Sequence, residues 1–198
     1  DYDIDGVCST YILYKAFLRL GAPVDYDIPD RIRDGYGINE SIIEKAAEQG
    51  IDTILTCDNG ISAYSQIELA KKKGMTVVIT DHHEVPLEEG KEIIPPADAV
   101  IDPKREECSY PFPEICGAVV AWKLVQVLFA ECGVPAKEWE ELLEFAAIAT
   151  VGDVMRLQDE NRIIVKYGLS RMEHTSSIGL RKLAAKNNLD LSQITAYH

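Results

Sequence analysis

A chain of 198 residues, 46% hydrophobic and 27% charged, is ordinary globular material, long enough to bury a real core in one domain or one and a half. A formal charge of −13 argues against a general electrostatic grip on nucleic acid, which depends on clustered Lys and Arg, and is compatible with an acid-rich metal site. No apolar run approaches the roughly 20 residues of a membrane span, no signal pattern opens the chain, and five cysteines without CxxC spacing point to a reduced cytoplasmic protein with neither a disulfide framework nor a zinc cage.

In chain order, Cys8 to Leu20 carries apolar residues at helical spacing (Tyr11, Ile12, Ala16, Phe17, Leu20) and stops at Gly21, a good helix-ending residue. Val24 to Ile28 reads as a strand. Asn39 can cap a helix running through Gln49, with Ile42, Ile43 and Ala46 on its inner face and Gly50 at its end. Ile51 to Cys57 reads as a strand, Ala63 to Lys73 as a helix closed by Gly74, Met75 to Thr80 as a strand and Ala99 to Ile101 as one more short strand. Strands separated by helices of this length imply an α/β fold, a parallel sheet flanked by helices.

After about Glu106 the pattern becomes helical: Cys116 to Cys132, Trp139 to Thr150, Ile163 to Met172 and Ser177 to Asn187. The expected organisation is therefore an α/β metal-binding core over residues 1–105, followed over 106–198 by a mainly helical part of the same catalytic domain. Trp122 sits in an otherwise apolar helix and is expected in the core. The chain opens on Asp1-Tyr2-Asp3 with no strand before its first helix and closes on "ITAYH" without a stop signal, so it reads as a fragment of something longer.

Three segments bring acids to comparable places. "DYDIDG" (Asp1 to Gly6) precedes the first helix, Asp58 follows one strand in "TILTCDNG", and Asp81-His82-His83 follows the next in "VVITDHH". In an open parallel sheet, ligands bind outside the carboxyl ends of the strands, so these groups are expected to converge. Asp153, after the apolar helix in "IATVGDVM", is a fourth candidate. Like charges about 4 Å apart repel by a few kcal/mol at an effective dielectric near 20, so such a cluster calls for cations. Hard oxygen ligands with imidazole favour manganese or magnesium over zinc. Two such ions suit hydrolysis at phosphorus, one activating a water and both stabilising charge on the phosphoryl oxygens. Taken singly, each element has a plainer reading: Asp5 as a helix cap, Asp58-Asn59-Gly60 as a turn, and Asp-His-His as a chance triplet.

In that order and at those spacings, "DYDIDG", "CDNG", "DHH" and "GDVM" resemble the four motifs of the DHH phosphoesterases. Within them, "PDRIRDGYGIN" (Pro29 to Asn39), "CGAVVAWKL" (Cys116 to Leu124) and "ATVGDVMRLQDENRIIVKYGL" (Ala149 to Leu169) resemble the RecJ-type branch, exonucleases that degrade single-stranded DNA from 5′ to 3′. The resemblance implies that Asp1 and Asp3 are paired first-motif ligands and that Asp5 is a third acid which ligates or orients. It implies that Asp58 bridges two Mn2+ or Mg2+ ions, that His82 is the histidine ligand with Asp81 as its supporting acid, and that Asp153 is the last ligand. His83 would face the scissile phosphate or leaving group.

Two departures stand beside it: where Asp-Cys-Gly is usual at the second motif, here Cys57 precedes Asp58 and Asn59 follows it, and Gly152 and Met155-Arg156-Leu157 flank Asp153 where Ala and Val-Pro-Leu are commoner. Neither removes a ligand position. Further domains of such enzymes supply much of the basic surface. Within these residues Arg31, Arg33, Lys104, Arg105 and Arg162 are the candidate phosphate contacts, Arg31 foremost because it lies in a Gly-rich loop. The resemblance further implies release of 5′-mononucleotides in DNA repair and recombination by a monomer acting with a helicase and a single-strand-binding protein. The alternatives are a DHH hydrolase of small phosphoesters (oligoribonucleotides, cyclic dinucleotides or pyrophosphate) and a non-catalytic DNA-binding scaffold.

Overall fold

In the computed structural model, which describes residues 2–32, 35 and 37–198, a three-stranded parallel sheet carries helices on both faces. Its strands are β1 (Thr53–Cys57), β2 (Thr76–Thr80) and β5 (Ala99–Ile101), with β2 in the centre. Thr53 lies beside Thr76 and Cys57 beside Thr80, and Val78 to Thr80 align with Ala99 to Ile101. A small antiparallel hairpin, β3 (Leu87–Glu88) and β4 (Lys91–Glu92), turns through Glu89 and Gly90, both at positive φ (50° and 79°). Sequence reading passed over this hairpin because its strands are too short to show alternation.

The helices before the sheet's edge follow their end signals. Asp3 caps α1 (Ile4–Arg19), accepting from the Gly6 amide at 2.9 Å, and Gly21 at φ 76° lets the Ala22 amide close onto the Phe17 carbonyl at 3.0 Å. Asn39 accepts from the Ile42 amide at 3.0 Å to cap α2 (Glu40–Glu48). Helix α3 (Tyr64–Lys72) links β1 to β2. Ile43, Ala46, Ile67 and Ala70 from α2 and α3 pack with Val77 and Ile79 against one face of the sheet. On the other face lie α1, α4 (Gly117–Glu131) and α6 (Leu143–Gly152), with Ile12, Ala16, Val119, Val125, Phe129, Ala146 and Ala147 at their shared centre and Leu55 and Cys57 of β1 against them.

Alternate residues of β1 therefore serve different faces, as the two-residue period of a strand requires. Trp122 is core: it is 7% exposed, and its indole N–H donates to the Trp139 carbonyl at 2.8 Å.

Two expectations need correction. Val24 to Ile28 forms no strand. It and β1 line the same cavity of about 430 Å³, and no ladder pairs the two segments. Flanking Pro23 and Pro29 offer no amide donors. The single helix expected over Trp139 to Thr150 is two: α5 (Ala136–Glu140) and α6. The Trp139 carbonyl at the junction is shared between the Leu142 amide, in a tight turn at 3.1 Å, and the Trp122 indole. The remaining α-helices among the described residues are α7 (Asp159–Arg171) and α8 (Ile178–Lys186), the latter capped by Ser177.

Candidate metal centre

The ends of β1 and β2 and the starts of α1 and α4 meet at one point because close approach is built in there. The chain leaves β1 through Asp58, whose φ of 58° lies in the left-handed region that aspartate tolerates better than most residues. Its amide still donates to the Thr80 carbonyl at 3.0 Å. Gly60, at φ 118°, completes the turn, where a Cβ would stand 2.5 Å from Thr56 Oγ1. Gly117 opens α4 directly against this turn, and a Cβ on it would stand 2.7 Å from Asp58 Cβ and 2.9 Å from Asp58 Cα. Asn59 bridges the Ile38 amide (3.3 Å) and the Cys57 carbonyl (2.9 Å), so this departure from the usual cysteine ties the preceding loop to the end of β1.

His82 stands at the centre. Its Nε2 lies 3.1 Å from Asp58 Oδ1, 3.5 Å from Asp5 Oδ2 and 3.9 Å from Asp153 Oδ2. Asp58, His82 and His83 form one group whose ligand atoms fall within 4.8 Å of one another, and Asp5, His82 and Asp153 form a second. Asp3 belongs to neither group. One of its oxygens caps α1, although its charge is felt by both Asp58 and Asp153. Asp1 and Arg33 lie outside the described residues.

Asp5 is fully buried and caps a helix other than its own, its oxygens accepting from the Gly117 and Ala118 amides of α4 at 2.7 Å each. A helix N-terminus is where a carboxylate is most readily held, yet burial, then the Asp58 charge, still pushes Asp5 up to about 7. Burial, then the Asp3 charge, raises Asp58 to about 7 as well, and Asp153 is raised chiefly by burial. Asp58 Oδ2 is buried with no partner. Carboxylates so reluctant to ionise beside an imidazole, one with an orphaned oxygen, are a donor set that fits divalent cations.

Asp81 supports the other histidine from the one expected. Its Oδ1 meets His83 Nδ1 at 2.7 Å and accepts from the His82 amide at 2.8 Å, while its Oδ2 accepts from the Ile61 amide at 2.9 Å. The His82 ring makes no hydrogen bond to it, because the backbone turns between positions 81 and 83 and brings the second imidazole back over the carboxylate. Burial pushes Asp81 up, but His83 and the two amides more than offset it and leave the carboxyl below its usual range. His83 is pushed up to about 9, first by its hydrogen bond to Asp81, so it is a cation at neutral pH, and its side chain is 40% exposed.

The candidate phosphate contacts divide. Lys104 is paired with Glu84 at 2.9 Å, and Arg105 with Glu107 at 2.6 Å and with the Val100 carbonyl. Arg31 is exposed, its guanidinium 5.4 Å from the ring centre of Tyr2 beside the first-motif acids, and Arg162 is exposed on α7. Sequence reasoning missed Asp102, 3% exposed just past β5, although an acid after a short apolar strand is the same signal that marked Asp58 and Asp81.

The comparisons with known proteins agree with this geometry. Residues 1–150 match the DHH family, N-terminal domain. The chain is 42% identical over 193 residues to the single-stranded-DNA-specific exonuclease RecJ of Bacillus subtilis, covering 98% of this chain and 23% of that protein. It is 36% identical over 207 residues to the RecJ of Dickeya dadantii, covering 99% and 35%. A crystal structure of exonuclease RecJ bound to manganese superposes with a TM-score of 0.84 at 33% identity, over all of this chain and 48% of that one. The crystal structure of RecJ in complex with Mn2+ from Thermus thermophilus does so with a TM-score of 0.77 at 30% identity, over 98% and 27%. The chain thus spans less than half the length of each of these relatives. With its Asp-His-His triplet at the mouth of a parallel sheet and the family match running across α1 to α6, this chain belongs to the DHH family.

Proposed function

We propose that the site holds two divalent cations, Mn2+ or Mg2+, and hydrolyses phosphodiester bonds of single-stranded DNA, releasing 5′-mononucleotides from the 5′ end. The observation that carries this reading is the approach of three carboxylates, from segments far apart in sequence, to within 3.1–3.9 Å of one imidazole nitrogen. The likeness to RecJ proteins, two of them solved with manganese, supports the substrate and the metal.

Asp58, His82 and Asp153 would hold the ions together with Asp3 and, from the first motif, Asp1. Bound there, the ions would lower the pKa of a water nucleophile and neutralise charge building on the phosphoryl oxygens. Asp5, with both oxygens on α4 amides, adds negative charge, orients the N-terminus of α4 against Asp58 and still offers a lone pair to an ion beside His82 and Asp153. His83, kept protonated by Asp81, faces the open side, where it can donate a hydrogen bond to the scissile phosphate or a proton to the leaving oxygen. Arg31 and Arg162 are the exposed cations proposed to meet the DNA backbone, with Arg33 beside Arg31 in sequence. We further propose that it works as a monomer in the cytoplasm with a helicase and a single-strand-binding protein.

The test is incubation of the purified protein with 5′-labelled single- and double-stranded DNA, an oligoribonucleotide and a cyclic dinucleotide, with Mn2+ or EDTA. Metal-dependent mononucleotide release from single-stranded DNA, lost in Asp58→Ala and His82→Ala, is the expected result. Preference for the ribonucleotide substrates would replace this reading with a small-phosphoester hydrolase. DNA binding without hydrolysis, unchanged in Asp58→Ala, would replace it with a scaffold.

A further inference from the structure

His82 turns Nε2 toward the carboxylates, and its other ring nitrogen, Nδ1, is buried with no hydrogen-bond partner. A buried donor left unpaired bears its desolvation cost uncompensated. An imidazole that offers one nitrogen to a metal ordinarily donates from the other to a carboxylate or carbonyl, which fixes its tautomer and its angle. Asp81 does not do this: its Oδ1 meets the His83 ring and the His82 amide, its Oδ2 accepts from the Ile61 amide, and neither oxygen bonds the His82 ring.

A second orphan lies at the next strand end. Asp102 follows β5 directly and is 3% exposed. Its Oδ1 accepts from the Lys104 amide at 2.8 Å, while its Oδ2 is buried without a partner. Ile101 aligns with Thr80, and the Asp81 amide donates to the Ile101 carbonyl at 3.0 Å, so Asp102 and the 81–83 triplet leave the sheet side by side. An unpaired buried donor and an unpaired buried acceptor thus occupy adjoining strand ends.

We propose that Asp102 is a positioning residue: its Oδ2 accepts a hydrogen bond from the Nδ1–H of His82, directly or through one buried water, and so holds Nε2 aimed at the metal position. The carboxylate–imidazole–metal relay divides the labour of the triplet, with Asp81 serving His83 and Asp102 serving His82. This rests on the reading of His82 as a ligand, so His82→Ala is included in the test.

Mn2+ affinity of the purified protein, measured by electron paramagnetic resonance titration with no nucleic acid present, is compared across variants. Loss of an outer partner typically weakens metal binding 10–100-fold. Asp102→Ala is expected to fall in that range, and Asp102→Asn, which retains an oxygen acceptor, to recover most of the affinity. In the Mg2+-loaded protein the His82 Nδ1 proton should resonate downfield and move upfield in Asp102→Asn, a signature that a merely structural role would not produce. If Asp102→Ala binds Mn2+ within twofold of wild type while His82→Ala does not bind, the inference fails and the site stands. If His82→Ala binds normally, the site reading itself fails. If Asp102→Ala does not fold, the proton shift and the affinity of Asp102→Asn decide, and an unmoved proton overturns the proposal.

Discussion

Replacing Asp58 with asparagine should stabilise the metal-free protein and destroy its response to metal. Burial, then the neighbouring Asp3 charge, raises the Asp58 carboxyl from 3.8 to about 7. The folded state therefore holds this proton more tightly than the unfolded chain does. Stability falls as pH rises through the window from about 4 to about 7, where the unfolded state has already released the proton. At 1.36 kcal/mol per unit, the ionised side chain costs the fold up to about 4 kcal/mol above pH 7. Asparagine keeps the shape, carries no charge and tolerates the φ of 58° at this position. It also relieves Asp5, whose carboxyl is raised to about 7 by burial and then by Asp58.

In urea titrations with EDTA, Asp58→Asn should exceed wild type by about 2–4 kcal/mol at pH 8 and by less than about 1 kcal/mol at pH 4. With Mn2+ at 100 times its dissociation constant, wild type should gain about 2.7 kcal/mol and the variant almost nothing, narrowing or reversing the gap. A metal-free variant less stable than wild type at pH 8 would refute the claim that this carboxylate is held against its preference.

Other outcomes follow from the same geometry. Asp81→Asn removes the first cause of the raised His83 pKa, so the His83 titration followed by proton NMR should fall from about 9 toward its usual range near 6.5. An unmoved titration would mean that Asp81 is not its partner. Gly117→Ala puts a Cβ 2.7–2.9 Å from Asp58 and should cost about 1–3 kcal/mol as overpacking while weakening Mn2+ binding, measured by urea denaturation and metal titration. Stability and affinity both equal to wild type would show that α4 is free to retreat.

Much of the fold was legible because its signals are local. Asn39, Ser177, Gly21 and Gly74 mark helix ends through hydrogen bonds or backbone angles that lie within a few residues, and the structure places ends at each of them. The order of the acids along the chain likewise identified the points that converge, since parallel strands separated by helices must all end at the same edge. Pairings between distant residues were not legible. Whether Val24 to Ile28 forms a strand depends on what lies beside it, and among the described residues no strand pairs with it. The break between α5 and α6 depends on a tryptophan from another helix competing for a carbonyl.

At the site, residue types and their order were determined by the sequence alone: acids at successive strand ends, a histidine pair, glycines where the backbone must come close. Tertiary structure alone decided which partner each group takes. Asp5 caps α4, more than a hundred positions along the chain, Asp81 turns to His83, and His82 Nδ1 and Asp102 Oδ2 are left facing adjoining strand ends. The reason is physical: a carboxylate's nature travels with its residue, but its proton affinity and its hydrogen bonds belong to whatever the fold buries against it.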